Sequence, residues 1–157
     1  MNKTTLHQAL QDALTRQLHE LAASLQAAQA AATDAEARPE NKYDTRALEQ
    51  SYLAAGQGER MEALRRTLTA AHFWQPPARV DVAGPGAVVQ IQDDRGTQWL
   101  FLTPFSAAAT LHVEGQAVQV VWVGAPLGRA LDGKGAGDVA TVRVGTGTRE
   151  VEVVDVQ

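Results

Sequence analysis

From Leu6 to Ala32 the apolar residues Leu6, Leu10, Leu14, Leu18, Leu21, Leu25, Ala28 and Ala32 recur in steps of three and four, so they line one face of a single helix. Neither glycine nor proline interrupts the stretch, and alanine, leucine and glutamine dominate it, all good helix formers. The stripe breaks over 31–41, where Pro39 removes a backbone donor and biases Arg38 away from the helical region. A hairpin tip is expected there, near 33–44. Helical spacing resumes through Leu48, Tyr52, Ala55, Met61, Leu64, Leu68 and Ala71 to about Phe73, with Gly56 and Gly58 expected to weaken or bend the middle. Two arms of about 30 residues at 1.5 Å per residue are rods roughly 45 Å long. A rod that thin has no core of its own, so the arms should pair antiparallel as a coiled coil.

The period changes after Trp74-Gln-Pro-Pro-Ala. Val80, Val82, Ala87-Val-Val-Gln-Ile, Trp99-Leu-Phe-Leu, Ala117-Val-Gln-Val-Val-Trp-Val and Val151-Glu-Val-Val read as strands. Turn residues separate them at Gly84-Pro-Gly, Asp93-Asp-Arg-Gly, Glu114-Gly, Asp132-Gly-Lys-Gly and Gly145-Thr-Gly. About five short antiparallel strands follow, with at most a short helix near Leu127 to Leu131. The chain therefore reads as α+β, a helical hairpin over 1–75 and a small β domain over 76–157.

The formal net charge of -4 gives no global basic field, which disfavours binding nucleic acid mainly by phosphate neutralisation and points to a protein partner. The absence of cysteine removes disulfides, thiolate metal sites and thiol nucleophiles together, and fits a reducing compartment. The N-terminus lacks the apolar run and small-residue cleavage site of a secretory signal, and no segment approaches the roughly 20 apolar residues of a bilayer span. A cytoplasmic protein without a membrane partner is expected.

The segment Pro126-Leu127-Gly128-Arg129-Ala130-Leu131-Asp132-Gly133-Lys134, followed by Gly137-Asp138 and Val142-Arg-Val, has a plain physical meaning. It describes a proline-led turn, one helical turn burying Leu127 and Leu131, a glycine turn at Gly133, and a redirection into a strand at Gly137-Asp138. No reactive group is among these residues. The same run resembles the C-terminal signature of the Gre-type (GreA/GreB) transcription elongation factors, where Ser-Pro-Leu-Gly-Arg-Ala-Leu-Leu-Gly-Lys leads through Gly-Asp into the last two strands. The resemblance implies an FKBP-like domain, an antiparallel sheet against a short helix, preceded by an antiparallel coiled coil; it does not imply prolyl isomerase activity. Ala125 replaces the family's serine, Asp132 a leucine, and Pro104-Phe-Ser-Ala-Ala-Ala-Thr-Leu-His-Val-Glu-Gly its acidic Glu-Ala-Asp stretch, so the chain looks like a divergent member.

What the resemblance implies about function concerns the hairpin tip, which in these factors enters the secondary channel of bacterial RNA polymerase. Two acids there support cleavage of backtracked RNA by the polymerase itself, near the nascent RNA 3′ end. Mg²⁺ prefers octahedral oxygen ligands, and two-metal hydrolysis needs an oriented water, so carboxylates on a thin rod suit the task. This chain carries Asp34, Glu36, Glu40 and Asp44. Glu40-Asn41 matches the family's Glu-Asn pair, but the family's aspartate falls on Ala37. On the residues alone, these acids are a solvated tip interleaved with Arg38, Lys42 and Arg46. The expectation is an elongation factor, not an enzyme, with no stably bound cofactor and Mg²⁺ only within the polymerase; entering the channel favours a monomer. The alternative is a Gre-like regulator or inhibitor that occupies the channel, or binds another protein, without supporting cleavage.

Other residues weigh less. His7, His19, His72 and His112 lack metal-site spacing. Gly133-Lys-Gly-Ala-Gly-Asp lacks phosphate-loop spacing and reads as a turn. Arg60, Arg65 and Arg66 either form a basic patch or pair with Glu59 and Glu62 along the helix. Trp74, Trp99, Phe101, Phe105 and Trp122 are not interleaved with basic residues, which favours core or interdomain packing over base stacking, and an exposed apolar patch among them would suggest the polymerase-binding surface.

Overall fold

The structure, a computed structural model, describes residues 1–36 and 46–157, with side-chain exposure described for all of these but 32, 34–36 and 46–54. Two long helices come first, α1 (Lys3–Glu36) and α2 (Arg46–Phe73). Asn2 caps α1: its Oδ1 accepts from the Thr5 amide at 3.2 Å and its carbonyl from the Leu6 amide at 3.1 Å, satisfying donors that a helix start leaves orphaned. α2 ends at Phe73, the last bond of the turn running from the Trp74 amide to the Ala70 carbonyl at 3.0 Å, because Pro76 bars Gln75 from the helical region.

The chain divides into two compact units, Leu14–Thr69 and a second built from Met1–Ala13 with Ala70–Gln157. In the helical unit, Leu18, Leu21 and Leu25 of α1 and Met61, Leu64 and Leu68 of α2 are half-buried, the stripe their spacing demands. No described helix is long and apolar enough to cross a membrane.

The other unit is built on a six-stranded sheet of β1 (Val88–Asp93), β2 (Gly96–Thr103), β3 (Thr110–Val113), β4 (Gln116–Trp122), β5 (Val139–Val144) and β6 (Gly147–Val156), in the order β3-β4-β2-β1-β6-β5. One short helix, α3 (Pro126–Leu131), lies between β4 and β5. The α+β class and the short helix are as the sequence leads one to expect. Three details differ. The strand β3, only four residues of Thr-Leu-His-Val, falls in the segment that replaces the family's acidic stretch, and it is too short to declare a period. The Glu114-Gly115 turn, with both residues at positive φ, folds it onto β4. The pairing of β2 with β4 is parallel, because β3 forms the outer edge and returns the chain alongside β2. Val80 and Val82 form no strand: Ala83 instead exchanges bonds with the later Gly133-Lys134 loop, its amide to the Lys134 carbonyl at 2.7 Å and its carbonyl from the Gly133 amide at 2.8 Å.

Alternation along the strands gives the sheet two apolar faces. Val89, Ile91, Leu100, Leu102, Ala140, Val142, Val151 and Val153 are buried together with Leu131 of α3. The opposite face carries Val88, Phe101, Val118 and Val120, and the same unit contributes the buried Leu6 and Leu10 of α1 and the ring of Trp74, 5.8 Å from that of Phe101. At this base His7 Nε2 donates to the Ala71 carbonyl at 2.7 Å, tying the first turns of α1 to the last of α2. Nearby, Lys3 Nζ donates to the Pro77 carbonyl at 3.0 Å, and burial lowers the pKa of its ammonium.

The turn between β1 and β2 is held to β6 by an ion pair of Asp93 with Arg149, side chains 1% and 21% exposed. Asp93 Oδ2 and Arg149 Nε have no aligned hydrogen bond among the described residues, so the contact is ionic. Asp93→Ala leaves the guanidinium half-buried without its anion and is expected to lower unfolding stability by about 1–3 kcal/mol. Urea titration checks this; a loss inside the error of the titration would show that water already serves Arg149.

Candidate functional site

The Pro126-to-Asp138 segment is built by close backbone approach. After β4 the chain turns, the Ala125 amide donating to the Trp122 carbonyl at 2.9 Å, and Pro126 occupies the first turn of α3, where a missing amide costs nothing. Leu131 is fully buried and Leu127 packs half-buried against the same core. Gly128 is buried because α3 sits directly on the end of β4: a Cβ there would lie 2.3 Å from the Trp122 carbonyl oxygen and 2.7 Å from Val123 Cα. Only glycine permits that approach. Gly133 and Gly137 have positive φ, 74° and 89°. The Gly137 amide then donates to the Val153 carbonyl at 2.7 Å, and Asp138 Oδ2 accepts from the Gly135 amide at 2.8 Å, closing the loop that feeds β5.

What this framework leaves outside is the exposed side chains of Pro126, Arg129 and Asp132. Trp122, at the end of β4, is 39% exposed, although the sequence groups it with the packing aromatics. Its ring folds over Gly124, where a Cβ would come within 2.3 Å of Trp122 Cζ2. Sequence reasoning leaves open which of these aromatics is exposed; for Trp122 the one available signal is the glycine two positions later. Trp74, Phe101 and Phe105 do form a packed cluster, the Trp74 and Phe105 centroids being 5.5 Å apart and edge-on. Trp99 is half-buried. An exposed indole at the end of β4 and an exposed proline and cation on α3 are side chains of kinds that suit contact with a protein surface.

The other candidates with a described position, Asp34, Glu36, Arg60, Arg65 and Arg66, belong to the helical unit Leu14–Thr69. Asp34 and Glu36 fall on the last turn of α1, while Glu40 and Asp44 lie outside the described residues. Arg65 and Arg66 both face Glu62, at 3.9 and 3.8 Å, and Arg60 is exposed on the same helix. These pairs are more than half exposed and add little stability, but they halve the free cationic charge that Arg65 and Arg66 present. Among the described residues no group of three or more His, Asp or Glu is placed to hold a metal ion.

Residues 77–157 match the family Transcription elongation factor, GreA/GreB, C-term, a span that includes the whole Pro126-to-Asp138 segment. No curated protein matches. Among solved structures, the chain is similar to GreA factor homolog 1 (Gfh1) of Thermus thermophilus at 22% identity and a TM-score of 0.43, covering 95% of each chain. It is similar to Gfh1 of Thermus aquaticus at 21% identity and a TM-score of 0.41, over 96% of this chain and 95% of that one. A GreA/GreB transcription elongation factor from Nitrosomonas europaea is 21% identical, with a TM-score of 0.36, over 62% of this chain and 78% of its own.

Proposed function

From the premise that this chain belongs to the GreA/GreB transcription elongation factor family, we propose that it acts on bacterial RNA polymerase, docking its β domain beside the secondary channel and placing its helical segment within it. The observation that carries this reading is the pairing of a family-matched domain with 34- and 28-residue helices ahead of it. A helix of that length, at about 1.5 Å per residue, has the reach and slenderness for a channel and little use in a compact binding module. Docking falls to the exposed Pro126 and Arg129 of α3 and the exposed Trp122 of β4, since the rest of the signature is committed to holding the fold. Polymerase supplies the catalytic Mg²⁺; Glu40 with Asp34, Glu36 or Asp44 would help to coordinate it or to orient water. The exposed Arg60, Arg65 and Arg66 would face polymerase or the nascent RNA.

A second mode, occupancy of the channel without cleavage, is favoured by one residue. Ala37 stands where the family resemblance puts an aspartate, and a methyl group coordinates nothing. Steric exclusion of substrate needs length and shape only.

Both modes predict association with core polymerase at low salt, weakened by Arg129→Glu with the thermal midpoint unchanged; no association would sink the reading. RNA cleavage in a backtracked elongation complex then separates the modes. Stimulation lost in Glu40→Ala, or when Asp34 and Glu36 are both replaced by alanine, identifies a displaced acidic pair. Binding with no rise in cleavage identifies an occupant.

A further inference from the structure

Gly56 and Gly58 lie inside α2, two positions apart, on an otherwise continuous helix. Neither has positive φ, and a Cβ built at either meets nothing within 4 Å. No close approach and no left-handed backbone therefore demands glycine at these positions, unlike Gly128. The physical consequence is a weakened helix, since each glycine lowers the local helix equilibrium about fivefold relative to alanine, or about 20-fold for the two together. Between them, Gln57 Oε1 is buried with no hydrogen-bond partner among the described residues, an arrangement that opening to water would relieve.

After this point Met61, Leu64 and Leu68 are half-buried, which anchors that part of the helix, and Ala55 beside Gly56 is exposed. On α1, residues 26–31 are all exposed, so that stretch stands on intrinsic propensity, and its Gln-Ala-Ala-Gln-Ala-Ala sequence is strong in propensity where Gly56 and Gly58 are weak.

We infer that Gly56 and Gly58 form a built-in break point at which the first part of α2 opens locally while the part from Met61 to Phe73 stays helical. The device lets one stretch of a long helix change shape inside a confining partner without loss of its base. It stands whether or not the partner is polymerase.

Native-state amide hydrogen exchange on the full chain tests it. Amides of α2 up to Gly58 are expected to exchange at least about tenfold faster than those from Met61 to Phe73, as separate opening units do. Gly56→Ala combined with Gly58→Ala should slow that first set about 20-fold and leave the strand amides unchanged. Each single variant should give roughly the square root of that effect, about four- to fivefold. Unchanged exchange in the double variant overturns the inference. So does a uniform slowing across the whole of α2, which would mean that the helix opens as one unit.

Discussion

Gly128→Ala is expected to destabilise the β unit by about 3 kcal/mol, the upper end of what overpacking costs, and to lower its thermal midpoint by roughly 10 °C. The reason is the identity of the atoms in the way. An added methyl meets the Trp122 carbonyl at 2.3 Å and Val123 Cα at 2.7 Å, backbone atoms that cannot rotate aside. Relief requires α3 to lift from β4, which would withdraw Leu131 and Leu127 from the core. Gly124→Ala is the informative contrast. The three atoms nearest its methyl would all belong to the Trp122 ring, at 2.3 to 2.7 Å, and a side chain on the surface can swing away. A smaller stability loss and altered indole fluorescence are expected there. If the two variants cost the same, the backbone-approach account of Gly128 is wrong.

Phe101→Ala should have an effect at least as large, about 3–5 kcal/mol, as emptied aromatic core positions do. Phe101 is fully buried in the second inner strand, pairs with Val88 on β1 and Val120 on β4, and receives the ring of Trp74. Its removal opens a cavity between the sheet and the residues that join α2 to it. Against a typical domain stability of about 5–15 kcal/mol, such a loss leaves a substantial unfolded fraction on mild heating. Chemical denaturation followed by far-ultraviolet circular dichroism and by Trp74 emission reads it. A loss under about 1 kcal/mol would mean that neighbouring side chains refill the space.

Much of this architecture is legible in order. Apolar steps of three and four place α1 and α2, and the helical-to-alternating change after Trp74 places the start of the β region, because period is a local property of the chain. The Pro126-to-Asp138 run is legible as a turn, a short helix and a strand for the same reason, each residue acting through its own backbone preferences. What escapes is non-local. β3 is too short to show alternation, and Val80 and Val82 imitate a strand although Ala83 bonds to a loop fifty residues later in the chain. The helix α1 also runs on to Glu36, so Asp34 and Glu36 belong to a helical turn and not to a loop.

By itself, then, the amino-acid order determined the class of fold, the two long helices, the positions of most strands and the segment that marks the family, since these follow from periodicity, turn chemistry and a specific motif. Tertiary structure alone decided the strand order with its parallel β2–β4 pair, the need for glycine at 128, the exposure of Trp122, and the pairing of Arg65 and Arg66 with one glutamate. Each of those depends on which distant atoms a residue meets, and a hydrophobic pattern carries no information about the identity of its neighbour across the sheet.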